Sequence, residues 1–180
     1  AFLVSRSKSD PNFEMNKIVQ PISADHLLTL LHFNLIRGLS VNIVSMGVDP
    51  KLMHTDILST FTSTEQPDPA LHLPPMLRPT ALQRSIPHHP EIDVLPFPRM
   101  RDNLLHAIWD YSDFKLCMDI LGLDPSAPSM TEVDRTDMTT GLIVWGEPWN
   151  PASWEVSERF ARKWQWLFHG CAEALESTNY

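Results

Sequence analysis

The imidazoles of His88 and His89 are the first groups in this chain that could ligate a metal or move a proton. They are adjacent in an extended, proline-bordered run, so their side chains leave the backbone in opposite directions and chelate one ion poorly. Asp93 is near enough in sequence to join one of them. The competing role for His88 is a hydrogen bond to a backbone carbonyl, because the neighbouring prolines leave carbonyls without local partners. A His88 that faces solvent or touches a ligand is a third possibility. Arg78, Arg99 and Arg101 stand beside Asp93 and Asp102. Such Arg–carboxylate pairs pin irregular backbone. The alternative is a clamp for an anionic effector, with Arg101 as the candidate contact.

A second constellation is amide-based. Asn34, Gly38 and Asn42 recur every four residues, which places them in one row on a helix. A buried amide without hydrogen bonds costs roughly 1–3 kcal/mol, so the row needs partners. Either the two amides tie down neighbouring backbone, or Asn34, Arg37 and Asn42 are the polar contacts of a small-molecule pocket. Trp145, Trp149 and Trp154 alternate with Pro148 and Pro151. They suit an aromatic groove for a proline-rich peptide or flat ligand. They equally suit stacking that closes one end of a core, since a buried aromatic removes roughly 150–250 Å² from water. Trp166 falls off the apolar stripe of its segment, which leaves it packed by the proline-rich stretch or part of an oligomer surface. There is no GxSxG, GxxxxGK[ST], HExxH or GxGxxG, and the six glycines do not cluster. No catalytic residue, metal or cofactor is therefore expected.

These side chains need elements to hold them. Ser23 reads as an N-cap, and Ala24 to Met46 as a long helix apolar almost all round, which predicts burial on every side. Gly47 can stop it. Asp49-Pro50 reads as the start of a second helix through about Phe61. Nine prolines between Pro67 and Pro98 force extended or turning chain. Their alternation with Leu, Ile, Val and Phe predicts an ordered strap laid across helices, with one short helix at Thr80 to Arg84. Helical spacing returns from Arg99 to about Leu121, with a break near Tyr111–Asp113 and Gly122 as a stop. Asp124 to Thr140 reads as a polar loop, and Leu142 to Trp145 as an extended piece too short to build a sheet alone. A last helix runs to about Glu176, with Val156, Phe160, Trp164, Leu167, Cys171 and Leu175 on one face. The expected fold is mostly α: one helical domain over residues 21–180, built round a buried long helix, with a proline-rich irregular strap and a loosely docked arm over 1–20.

Bulk properties narrow the function. With 180 residues, 43% hydrophobic, the chain can bury a sizeable core. A net charge of -8 argues against a broad phosphate-binding surface. The two cysteines lack CxxC spacing, which suits free thiols in a reducing compartment. No apolar run approaches the roughly 20 residues of a membrane span, and the first residues do not form a signal peptide.

Two stretches carry a resemblance: LRPTALQRSIPHHPEIDVLPFPRMR over 77–101 and GLIVWGEPWNPASWEVSERFARKWQW over 141–166, followed by the terminal STNY. They resemble the DUF3425 family, a C-terminal domain of fungal proteins often found behind a basic leucine zipper, across residues 77–180. That resemblance implies a nuclear, DNA-associated parent protein. The basic region and zipper are not among these residues, so DNA contact would come through other parts of the parent, and the chain reads as a piece of something longer. The function expected is regulatory: recognition of a protein partner or a small effector, with self-association as one possible form. The rival is a metabolite-binding or enzyme-derived domain with a pocket near Asn34 and Asn42.

Overall fold

The computed structural model describes residues 24–62, 69–123, 141–172 and 174. The arm expected over 1–20, the Ser23 cap, the polar loop and the end of the last helix fall outside these residues.

The described chain is helix-rich, with five α-helices and one small sheet. Helix α1 spans Ala24–Ser45. Its buried side is a row at positions 31, 35, 38, 42 and 46, and Gly47 ends it with φ 76°. The expectation that α1 is buried all round is corrected. Leu27, Leu30, Phe33, Ile36 and Val44 are 40–62% exposed. The cause is the number of neighbours: a helix apolar on every side needs cover on every side, and among the described elements α1 packs mainly against the first strand and the turn after it. By length and composition, His26–Ser45 is also apolar enough to cross a membrane, which corrects the expectation that no apolar run approaches a span.

Asp49 does cap, accepting from the Lys51 amide at 2.9 Å, but the expected helix through Phe61 is only a 3-10 turn at Pro50–Leu52. The Thr55 hydroxyl bonds the Leu52 carbonyl at 2.6 Å and Ser59 Oγ accepts from the Phe61 amide. Such local side-chain bonds compete with helix. The proline-rich segment is a chain of tight turns: 3-10 turns at Pro69–His72 and Pro75–Leu77, then α2 over Ala81–Ser85. Thr80 and Gln83 close a reciprocal capping box on α2. Its apolar residues Leu73, Leu77, Ile92, Val94, Leu95 and Phe97 are buried. The segment gathers round α3 (Pro98–His106), on which α2 packs.

Helix α4 spans Asp113–Ile120, after the expected break, and its cap is Ser112, whose hydroxyl accepts from the Lys115 amide. Trp109, which shares the apolar spacing of α3, is 92% exposed in the turn between the two helices. Strand β1 (Leu142–Val144) pairs antiparallel with β2 (Trp154–Val156), Ile143 opposite Glu155. This gives the extended piece the partner strand it needed. All three residues of β1 are buried, so no polar alternation marks it. Ser157 caps α5 (Glu158–Lys163). Trp164 then leaves helical geometry, a 3-10 turn follows at Gln165–Phe168, and Gly170 takes φ 76°. The last helix is therefore broken rather than continuous. Its stripe still faces inward, with Val156, Phe160, Trp164, Leu167 and Cys171 between 1 and 6% exposed. Both cysteines are thiols outside any disulfide, and Cys117 is exposed.

Candidate functional site

The proline-rich turns place Gln83, His88 and Asp93, with Ser59 from the segment before them, around the guanidinium that α3 sends inward, Arg101. Asp93 is the centre. Its Oδ1 accepts from Gln83 Nε2 at 2.6 Å and His88 Nε2 at 2.7 Å, and its Oδ2 from the Ser59 hydroxyl at 2.6 Å. His88 Nδ1 lies 2.6 Å from the Ile86 carbonyl. A carboxylate on one ring nitrogen and a carbonyl on the other call for two donors, which only the imidazolium supplies. Burial alone would lower the His88 pKa and the Arg101 charge adds to that. The bond to Asp93, its negative charge and the Ile86 carbonyl outweigh both, and the pKa is raised above its ordinary 6.5.

Arg101 is fully buried. It donates through Nε to Gln83 Oε1 at 2.9 Å, through Nη1 to the carbonyls of Met76 and Leu95 at 2.8 Å, and through Nη2 to the Arg78 carbonyl at 2.7 Å. Burial pulls its pKa down to about 10 against the opposing pull of Asp93 and Asp102. The expected Arg–carboxylate pair is thus replaced by an arginine that gathers carbonyls, with Gln83 linking it to Asp93. Asp102 instead accepts from the Thr80 hydroxyl at 2.6 Å. Ser59, Gln83, His88, Asp93 and Arg101 are each at most 3% exposed, so this hub locks the turns and presents no face to a substrate. His89 turns away from His88, with Nε2 3.1 Å from the Thr55 carbonyl.

Among the other sequence candidates, Asn42 is fully buried and its amide donates to the carbonyls of Val94 and Pro148, both at 2.9 Å. Its Oδ1 accepts no hydrogen bond. The close approach that Gly38 permits is filled by protein: a Cβ there would sit 3.3 Å from Pro148 and 3.4 Å from Val144. Asn34 is half-buried and Arg37 exposed. The row therefore seats β1 and the Pro148 turn. The Pro148 carbonyl also takes Trp154 Nε1 at 2.9 Å, and Trp154 meets Phe97 edge-on, with ring centroids 5.9 Å apart. Trp154 is buried, Trp149 half-buried, and Trp145 58% exposed with its Nε1 on Glu155. The three grade from core to surface. Trp166 is half-buried, 5.6 Å from the Tyr111 ring and 6.1 Å from the Trp164 ring, beside an open cleft bordered by Lys115 and Lys163.

Sequence reasoning missed a cavity of about 210 Å³ where α1, α3, α4 and the 91–95 turn meet. Leu39 and Ile43 of α1 wall it, Leu104 of α3 and Leu116 and Ile120 of α4 close the floor, and Glu91, Tyr111, Asp113 and Cys117 border it. Burial and the Asp113 charge raise the Glu91 pKa against the pull of His89. Burial, Asp113 and Glu91 also raise the Tyr111 and Cys117 pKa values, Asp113 acting on Tyr111 and Glu91 on both. No motif marks this set, because its walls come from several separate segments; the neighbouring hub left readable signs in the spacing of His88, Asp93 and Arg101 and in the Thr80-x-x-Gln83 box.

No curated protein and no solved structure matches this chain. A family model described as a domain of unknown function (DUF3425) matches residues 56–175. That is about two thirds of the chain and includes the hub, the cavity's polar border, the sheet and α5; the chain belongs to the DUF3425 family.

Proposed function

We propose that this chain is a non-catalytic regulatory domain of a fungal transcription factor of the basic leucine zipper type, and that it works by recognising a protein partner. One observation carries the reading: the apolar row Leu27, Leu30, Phe33, Ile36 and Val44 exposed along α1. A concentration of exposed large apolar side chains on a folded domain marks an interaction site. The closed hub around Asp93 supports the non-catalytic part, since its donors and acceptors are turned on each other. The zipper parent, the fungal source and the nuclear location follow from the family resemblance. DNA would be bound by other segments of that parent, in keeping with the charge of -8. A second copy of the chain is one form the partner could take.

The test is a reporter assay with the domain fused behind a heterologous DNA-binding segment. The variant Phe33→Glu with Ile36→Glu should change the output while leaving the melting temperature and DNA affinity unaltered. Unchanged output from a folded double variant refutes the reading. Sedimentation of wild type and variant identifies self-association.

A further inference from the structure

The cavity between α1, α3 and α4 is lined from α1 by Leu39 and Ile43, and by none of the exposed residues that carry the partner reading. We propose that it binds a small hydrophobic amine: a compact apolar body, one ring and a short tether, ending in a protonated nitrogen. The size fits. A buried apolar cavity of about 150 Å³ is known to hold benzene, and this one is about 210 Å³. Its body is aliphatic, formed by Leu39, Ile43, Leu104, Leu116 and Ile120.

The border decides the charge. Glu91 and Asp113 both line the cavity and no Lys or Arg does. Outside the lining, His89 Nδ1 is 3.6 Å from Glu91, at a partly exposed position. The Asp113 charge opposes ionisation of Glu91. A cation between them relieves that repulsion, whereas an anion meets two like charges. The Tyr111 ring adds an aromatic face for the same cation. Asp113 and Cys117 are exposed, so the polar border is also the entrance and the charged end of the ligand stays there.

Three probes share a body and differ in the head group: 2-phenylethylamine, 2-phenylethanol and phenylacetate. Calorimetric titration into the whole chain gives their affinities. Alkylation of Cys117 by iodoacetamide gives an independent occupancy readout, since Cys171 is 1% exposed. The amine should bind about tenfold more tightly than the alcohol and slow alkylation at matching concentrations, with the acid weakest. Glu91→Gln with Asp113→Asn should bring the amine down to the alcohol and leave the alcohol unchanged. Leu39→Trp, which fills the cavity, should abolish binding of both. The proposal is overturned if phenylacetate binds as well as the amine, if none of the three binds or protects Cys117, or if the folded Leu39→Trp protein binds like wild type. Where a variant fails to fold, the order of the three probes on the unaltered protein decides the question. None of these outcomes depends on the partner assay, so the two readings fail separately.

Discussion

Replacing Arg101 with Met should bring the domain close to unfolding. Met keeps much of the volume and the unbranched stem, so the cavity left is small and the loss is mainly polar. Four acceptors lose a donor. Gln83 Oε1 keeps the Thr80 amide as a donor, whereas the carbonyl of the buried Leu95 loses the guanidinium. At roughly 1–3 kcal/mol for an acceptor stranded in the interior, that carbonyl alone costs about 1–3 kcal/mol. Asp93 also loses a nearby cation, in line with the roughly 3–5 kcal/mol seen when one member of a buried charge network is removed. Typical domain stability is about 5–15 kcal/mol, so a third or more of it is at stake. Buried ion pairs can often be exchanged for apolar groups at no cost. That escape is closed here, because three of the four acceptors are backbone carbonyls that no side-chain change removes. Urea unfolding followed by tryptophan fluorescence measures the loss, and an unchanged slope would show that the unfolded state is the same. Arg101→Lys keeps the charge but not the fork and should still lose about 2 kcal/mol or more. A Met variant within about 0.5 kcal/mol of wild type would refute the claim that the guanidinium organises the turns.

Trp164→Ala should cost roughly 3–5 kcal/mol in the same assay, since Trp164 is 6% exposed and donates to Asp119 at 2.8 Å; a small shift would mean that α5 packs by another face. The His88 pKa is raised on folding, so the stability due to its protonation is complete below 6.5 and lost as pH rises through the folded value. Unfolding free energy measured from about pH 6 to 9 should fall more steeply for wild type than for His88→Gln, and parallel curves would contradict an imidazolium at that site. At physiological salt the chain should show no duplex DNA affinity by fluorescence anisotropy, given its charge of -8. Tight, salt-sensitive binding would overturn that expectation.

Local signals were readable in the sequence and long-range ones were not. The stripe Val156, Phe160, Trp164, Leu167, Cys171 gave the buried face of the last segment, because side chains three and four apart keep one direction through an α-turn followed by a 3-10 turn. Gly47 and Gly122 ended helices where expected, both with positive φ. Asp49 capped as expected, yet a good cap cannot sustain a helix whose next residues bond their own backbone. The sheet was invisible because three buried residues show no period. The hub joins Ser59 to Arg101 across more than 40 residues, and only the fold reveals that Asp93 serves both sides of it through Gln83. The Asn34–Gly38–Asn42 row was legible as a surface in need of partners, but the sequence could not tell a ligand from the Pro148 turn.

The largest error, the burial of α1, also bears most on function. A helix apolar on all sides can be wrapped by its own chain, inserted in lipid or covered by a partner, and composition alone does not separate these. The geometry weighs against lipid. Arg37 is exposed near the middle of α1, where facing hydrocarbon costs about 2.5–3.5 kcal/mol even on the mildest scale. The other face is bound to the domain: Asn42 satisfies the Val94 and Pro148 carbonyls, Gly38 seats Val144, and Leu39 and Ile43 wall the cavity. Drawing α1 into a bilayer would strand those carbonyls and open the core. A protein partner asks for none of this. It covers Phe33, Ile36 and Val44, leaves Arg37 free to pair with a carboxylate on the incoming surface, and gains roughly 1 kcal/mol for each large apolar side chain whose remaining half is removed from water.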